Sequence, residues 1–114
     1  MTLTGTNIAM TRGDTERLTI RCRVKDDNTP VPFAEGDAVY MTVRESVDSA
    51  VEFQKLVTEF GPEGEAEIVI DHEDTEGMAF GDYVYDVQVT RESGVVTTLI
   101  KPSKFTLTEE VTYE

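Results

Sequence analysis

Apolar and polar residues alternate along most of this chain, and the alternation is clearest from Asp82 to Arg91. The two sides of that run are Tyr83, Tyr85, Val87 and Val89, and Val84, Asp86, Gln88 and Thr90. Successive side chains of a strand point to opposite faces of a sheet. The run therefore predicts a strand that is packed on one face and solvated on the other.

The same alternation predicts further strands, separated by turn-forming residues. The apolar run at Lys55-Leu56-Val57 blurs the pattern and predicts a bulge or a change of register. Pro102 is expected to separate two strands, since proline cannot donate to a central ladder. The other predicted strands are Thr6–Thr11, Glu16–Val24, Ala38–Glu45, Ala50–Thr58, 66–70, Val95–Lys101, Ser103–Thr108 and Val111–Tyr113.

The segments between the strands are rich in glycine, proline and acidic residues. Lys25–Asp37 is predicted to be irregular, with Val31 and Phe33 as apolar anchors. Asp71–Thr75 predicts a single helical turn that Asp71 caps and Gly77 ends. Met78 and Phe80 are then expected to enter the core. Turns are predicted at Arg12–Thr15, Gly61–Gly64 and Glu92–Gly94.

Seven to nine short strands, no helix longer than a turn or two and no internal repeat predict an all-β fold. The expected architecture is one domain over residues 1–114, an antiparallel, immunoglobulin-like β-sandwich with one short helical turn; a small barrel is the alternative. The Cys and Trp hallmarks of antibody domains are missing, because the chain has one Cys and no Trp. A fold of this kind does not identify a function.

The chain is strongly acidic, with 10 Lys and Arg, 23 Asp and Glu and a formal net charge of -13. This charge repels nucleic-acid phosphates and anionic membranes, so neither is an expected partner. Residues 1–6 lack the features of a signal peptide, and no stretch is long enough to span a membrane. A bacterial cytoplasmic location is the expectation that follows.

Metal binding is not favoured by the residues present. Asp71-His72-Glu73-Asp74 groups the one histidine with three carboxylates, but it lacks the Asp-x-Asp-x-Asp-Gly spacing of calcium loops, and helix capping accounts for it. Cys22 alternates with apolar neighbours and is predicted to be a small core residue. One His and one such Cys are too few for zinc. No metal or other cofactor is therefore expected.

No catalytic residue is predicted either. Asp86 is the carboxylate best placed for acid–base chemistry, but it is expected to face solvent or bond a neighbouring strand. No Gly-x-Ser-x-Gly motif or phosphate-binding glycine loop occurs. Arg12-Gly13-Asp14 matches the tripeptide that integrins recognise, yet a turn explains it, because glycine allows the bend and Asp14 can accept from backbone N–H groups.

Several of these motifs together resemble a family of small phage and prophage structural proteins. They are Arg12–Thr15 before a strand, Gly36-Asp37, Asp74-Thr75, Gly81–Val87 and Thr97-Thr98. The chain is similar, from about Asn7 to Val111, to the N-terminal domains of baseplate upper proteins and related tail or fibre components from phages of Gram-positive bacteria. The resemblance implies a β-sandwich that contacts other virion proteins or copies of itself. The longer members continue into a coiled coil and a receptor-binding head, which would follow Glu114.

The resulting hypothesis is a non-enzymatic phage or prophage structural or adaptor protein that acts by protein–protein docking. Its expected location is the virion if it is phage-derived, and otherwise the bacterial cytoplasm. Sheet edges offer unpaired backbone groups for such docking. The alternative is a carbohydrate- or calcium-binding β-sandwich module. Tyr40 is the best candidate for a sugar platform, because it is expected to face away from the apolar side of its strand.

Overall fold

The structure is a computed structural model that describes residues 2–23 and 27–109, with only the backbone described for residues 2–4. This part of the chain forms eight strands and one short helix. They are β1 (Thr2–Thr4), β2 (Asn7–Thr11), β3 (Glu16–Ile20), β4 (Ala38–Arg44), β5 (Val51–Val57), β6 (Ala66–Ile70), α1 (His72–Glu76), β7 (Gly81–Thr90) and β8 (Val96–Thr108).

The strands form two sheets, which confirms the predicted all-β sandwich. The larger sheet has the order β1-β2-β8-β7-β4-β5, and the smaller one pairs β3 with β6. All described strand pairs are antiparallel except β2 and β8, which run parallel. The Asn7 side chain supports this exception, because its Oδ1 accepts from the Lys104 backbone N–H at 3.0 Å.

The core lies between the two sheets and follows the predicted alternation. Each fully buried aliphatic side chain contributes roughly 1.5–3 kcal/mol, so this interior is the main source of stability. The two tyrosines at the start of the β7 run, Tyr83 and Tyr85, have 8% and 2% of their surface exposed. The side chains with no exposed surface include Val39, Met41, Val43, Ala66, Ile68, Ile70, Val87, Val89 and Phe105.

The bulge in β5 lies at Glu52, a few residues before the position predicted for it at Lys55-Leu56-Val57. Val43 pairs with Phe53 and Arg44 pairs with Val51, which leaves Glu52 as the extra residue. The blurred pattern at Lys55 has a different cause, because Lys55 pairs with buried Met41 and so lies on the inner side of the sheet. Its ammonium group reaches the carboxylates of Asp71 and Asp74 at the start of α1.

β8 continues through Pro102 instead of ending there, so the prediction of two separate strands is wrong. Tyr85 pairs with Ser103 and Val87 with Ile100, which places two residues of β8 opposite Asp86. Such a bulge removes the need for a ladder hydrogen bond from Pro102, and bulges are where sheets accept proline.

The remaining predictions concern the end of β3, the two apolar residues that follow α1 and the strand expected near the C-terminus. β3 ends at Ile20, and Cys22 beyond it is half-buried. Phe80 does not enter the core: its surface is 40% exposed, and the Arg12 guanidinium lies 4.1 Å from its ring centre. Met78 is buried as predicted, at 7% exposed. Val24 and the predicted strand Val111–Tyr113 lie outside the described residues.

Candidate functional site

The side of the large sheet that faces away from the core is the candidate functional surface, here called the outer face. Its side chains alternate with the buried ones, and the strand register arranges them in four rows across β8, β7, β4 and β5. The rows are Lys104, Val84, Arg44 and Val51; Asp86, Thr42 and Gln54; Thr98, Gln88, Tyr40 and Leu56; and Val96, Thr90 and Ala38.

Exposed apolar side chains concentrate on this face. Six large apolar side chains are exposed in the described part of the chain, and four belong to the outer face or its margin. Leu56 and Val96 are 58% and 59% exposed, and Val51 is 45% exposed. Val47, at 65%, lines a depression in the face. Val51 and Leu56 lie on β5 and Val96 lies on β8, at the two margins of the face, so one side of the sheet carries most of the exposed large apolar side chains, as surfaces that contact a partner do.

The polar side chains of the outer face are ordered by bonds across strands. The Gln54 amide donates to Thr42 Oγ1 at 2.9 Å, and the Gln88 amide donates to Thr98 Oγ1 at 3.3 Å. Tyr40 lies between these pairs, with Gln88 and Leu56 as its cross-strand neighbours. Tyr40 thus faces away from the core, as predicted, on a surface whose polar groups are already held in place.

A small depression of about 50 Å³ opens at one end of the outer face. Asp86 is half-buried there and makes no hydrogen bond or ion pair to any residue that the structure describes. Arg44 lies across the same depression and donates to the Ser49 carbonyl at 2.7 Å. Asp86 is the one carboxylate among the described lining residues, so this geometry does not provide the paired carboxylates of acid–base catalysis. The described residues that line it are Thr42, Arg44, Val47, Val84, Tyr85, Asp86 and Pro102.

The acidic run at α1 serves the fold. Asp71 is the N-cap residue, and the Asp74 carboxylate accepts from its backbone N–H at 2.8 Å. The Lys55 ammonium lies 3.3 Å from Asp71 Oδ2 and 2.9 Å from Asp74 Oδ2. Burial alone would lower the pKa of Lys55, but these hydrogen bonds and charges raise it. No group of three or more potential ligands for a metal ion occurs among the described residues.

His72 is exposed beside this cap and pairs within its own helix. Its Nδ1 lies 2.7 Å from Glu76 Oε1, and its Nε2 lies 3.9 Å from Glu73 Oε1. The hydrogen bond to Glu76 is the main cause that raises the pKa of His72, and the charge of Glu76 adds to it.

The Arg12-Gly13-Asp14 segment is a structural turn. Gly13 has φ of 84°, a conformation that favours glycine, and its N–H donates to buried Thr75 Oγ1 at 2.8 Å. Arg12 Nη1 donates to the Met78 carbonyl at 3.2 Å. Because Arg12 is held against α1 and Phe80, the segment does not present its cation and carboxylate as a free pair.

A buried ion pair at the other end of the sandwich was not anticipated from the sequence. Asp37 accepts from Arg91 Nη1 at 2.9 Å and from the N–H groups of Ala34 and Glu92 at 3.0 Å each. Burial alone would raise the pKa of Asp37, but these donors outweigh it and lower the pKa. Arg91 also lies over the Phe33 ring, 5.2 Å from its centre. This network fixes the loops and has no free group for chemistry.

The outer face itself was only partly foreseeable. Its polar alternation was visible in β7, and Tyr40 was singled out. The contributions of Leu56 and Val96 were missed, because an exposed leucine next to a valine looks like core in the sequence. Leu56 is exposed by regular alternation from Phe53, whereas the bulge at Glu52 turns Val51 outward.

No helix in the described part of the chain is long and apolar enough to span a membrane. No protein-family model and no curated protein matches the sequence. A solved structure, CopC from Methylosinus trichosporium OB3b, resembles this chain with a TM-score of 0.50 and 12% sequence identity, over 95% of this chain and 89% of that one. At this identity the likeness concerns the fold alone, and it agrees with the β-sandwich.

The predicted function as a phage or prophage virion protein is wrong. The matched structure is CopC, which is not a phage structural protein, and nothing else in the comparisons points to a phage. The motifs behind that prediction, such as Arg12–Thr15 and Gly81–Val87, form a turn and a strand of the sandwich. Turn and strand residues of this kind indicate a fold, and proteins with the same fold can have unrelated functions.

Proposed function

We propose that this chain is a non-catalytic binding domain that docks another protein on the outer face of its large sheet. The observation that carries the proposal is that exposed Val47, Val51, Leu56 and Val96 all lie on or beside one face, whose polar side chains are preordered. A bacterial cytoplasmic location is kept as a prediction.

The composition of the outer face suits a protein partner. Interfaces combine an apolar and aromatic centre with a polar rim. Tyr40 and its cross-strand neighbour Leu56 supply aromatic and apolar surface, and the side-chain amides of Gln54 and Gln88 retain acceptor oxygens for a partner. Because these amides are already held by threonines, binding orders few additional rotamers, and the entropy cost of association is reduced.

Position-specific photocrosslinking in an extract of the source cells tests this proposal. A photoreactive amino acid in place of Leu56 is expected to form one adduct of defined mass. The same amino acid in place of Thr19, exposed on β3 of the small sheet, is expected to form none. Mass spectrometry then identifies the adduct.

The identified protein is next purified and its affinity for this domain is measured. The substitution Thr42→Glu places a charge at the centre of the outer face and is expected to weaken binding by at least about tenfold. Equal crosslinking from positions 56 and 19, or an affinity that Thr42→Glu does not change, would overturn the proposal.

A further inference from the structure

We infer that the protein docked on the outer face is a second copy of this chain, related by a two-fold axis. This inference rests on the proposed function and specifies the partner. It follows from the distribution of charge over the surface, from an unpaired carboxylate on the face and from the size of the face.

Charge is the first argument. Two copies with a net charge of -13 each repel one another over most of their surfaces. The fourteen positions of the four rows carry two basic side chains and one acidic side chain. Asp82 continues the same face beside Lys104, at 3.6 Å, so the face has a net charge of 0. It is therefore a surface on which two copies can approach without acidic repulsion, whereas α1 exposes Glu73 and Glu76.

The second argument is the unpaired carboxylate. Asp86 is half-buried and has no partner among the described residues, and part of the Arg44 guanidinium remains uncommitted after its bond to Ser49. A two-fold interface repeats each contact. Arg44 of one copy can therefore pair with Asp86 of the second copy at two symmetric places. Both charges would then gain a partner that a monomer does not provide.

The area of the outer face sets the affinity that we expect for the dimer. Four strands about 4.8 Å apart and seven residues of about 3.4 Å each give a face of roughly 450 Å². Together the two copies would bury an area at the low end of specific interfaces. We expect a reversible dimer with a dissociation constant in the micromolar range, about 1–100 μM.

Sedimentation equilibrium of charge-exchanged variants tests the inference at about 5–500 μM, a range that brackets this affinity. Wild-type protein is expected to convert from monomer to dimer with concentration. Arg44→Glu alone or Asp86→Arg alone is expected to weaken the dimer by at least about tenfold, since each brings like charges together. An equimolar mixture of the two variants restores both ion pairs and is expected to recover the dimer.

Matched controls separate this effect from net charge. Arg17→Glu changes the net charge as Arg44→Glu does, and Glu73→Arg changes it as Asp86→Arg does; Arg17 lies on β3 of the small sheet and Glu73 on α1, both off the outer face. Neither is expected to alter the dimer. A monomer throughout the range, or single variants that dimerise as wild type does, would overturn the inference. If the wild type is monomeric while Leu56 crosslinks to a different protein, the proposed function stands and only the second copy is excluded as partner.

Discussion

Asp37 illustrates how single residues hold the loops of this sandwich. Its carboxylate is 8% exposed and joins Arg91 to two backbone N–H groups from separate loops. A buried acceptor shared by a cation and two N–H groups is costly to remove, since each donor then loses its partner.

We expect Asp37→Asn to lower the free energy of unfolding by about 2 kcal/mol at pH 7, because the amide keeps one acceptor but loses the charge that faces Arg91. Urea unfolding measures this loss. Since the folded-state pKa of Asp37 is lowered, its contribution is present above the ordinary value of 3.8 and is lost as the pH falls through the folded-state pKa. The difference from wild type should narrow as the pH falls below 3.8. An equal loss in exposed Asp48→Asn would contradict this account.

His72 offers a second residue-scale prediction. Because the Glu76 hydrogen bond raises its pKa, any stabilisation from this pair is complete below the ordinary value of 6.5 and is lost as the pH rises through the folded-state pKa. Glu76→Gln is expected to return the pKa of His72 toward 6.5 in an NMR titration. Glu73→Gln is the control and should change it less, because that carboxylate lies 3.9 Å away. An equal decrease in both variants would show that Glu76 has no special role.

The sequence predicted the buried residues better than the polar contacts. Val39, Met41 and Val43 were identified because period-two alternation reports directly which side of a strand is packed. The Asp37–Arg91 pair was not, because its partners are 54 residues apart and meet only through the fold. Asp86 was singled out, but its lack of a partner depends on the cross-strand register.

At the scale of elements, β5 is an edge strand of the large sheet, and its outward side chains belong to the outer face. Inward-pointing charges on edge strands hinder unwanted pairing with other chains. Lys55 has this orientation and also ties β5 to α1 through Asp74. The same residue therefore serves both stability and protection of the edge.

Lys55→Ala is expected to lower the free energy of unfolding by about 1–2 kcal/mol, since it removes the cation between Asp71 and Asp74 and exposes apolar surface beside them. Thermal or urea unfolding checks the loss. Lys101→Ala, which removes an exposed lysine of β8, is the matched control and should change stability by less than about 0.5 kcal/mol. Equal effects of the two substitutions would contradict the role of Lys55.

The strand boundaries were predictable to within a few residues, and the bulges were not. Pro102 suggested a strand end from its missing N–H, but the two-against-one register opposite Asp86 satisfies the ladder. Phe80 was expected in the core as an apolar residue that follows the helical turn. The Arg12 guanidinium covers its ring instead, and nothing in the local sequence joins residues that far apart.

At the scale of the whole molecule, stability and binding are assigned to opposite sides of one sheet. The inner side supplies the core, and the outer face is expected to contribute little to folding. Leu56→Thr should therefore change the free energy of unfolding by less than about 0.5 kcal/mol, whereas Ile68→Ala, in the fully buried core, should cost about 2–5 kcal/mol. A large loss in Leu56→Thr would mean that the outer face serves the fold.

An NMR dilution series of backbone amide shifts tests the central claim most directly, namely that the outer face is the docking surface and that a second copy occupies it. We predict that amides of β4, β5 and β7 near Tyr40, Thr42 and Gln88 shift with concentration, while those of β3 and β6 near Arg17 and Glu67 do not. Shifts confined to the small sheet, or none over the concentration range of the expected dimer, would contradict it.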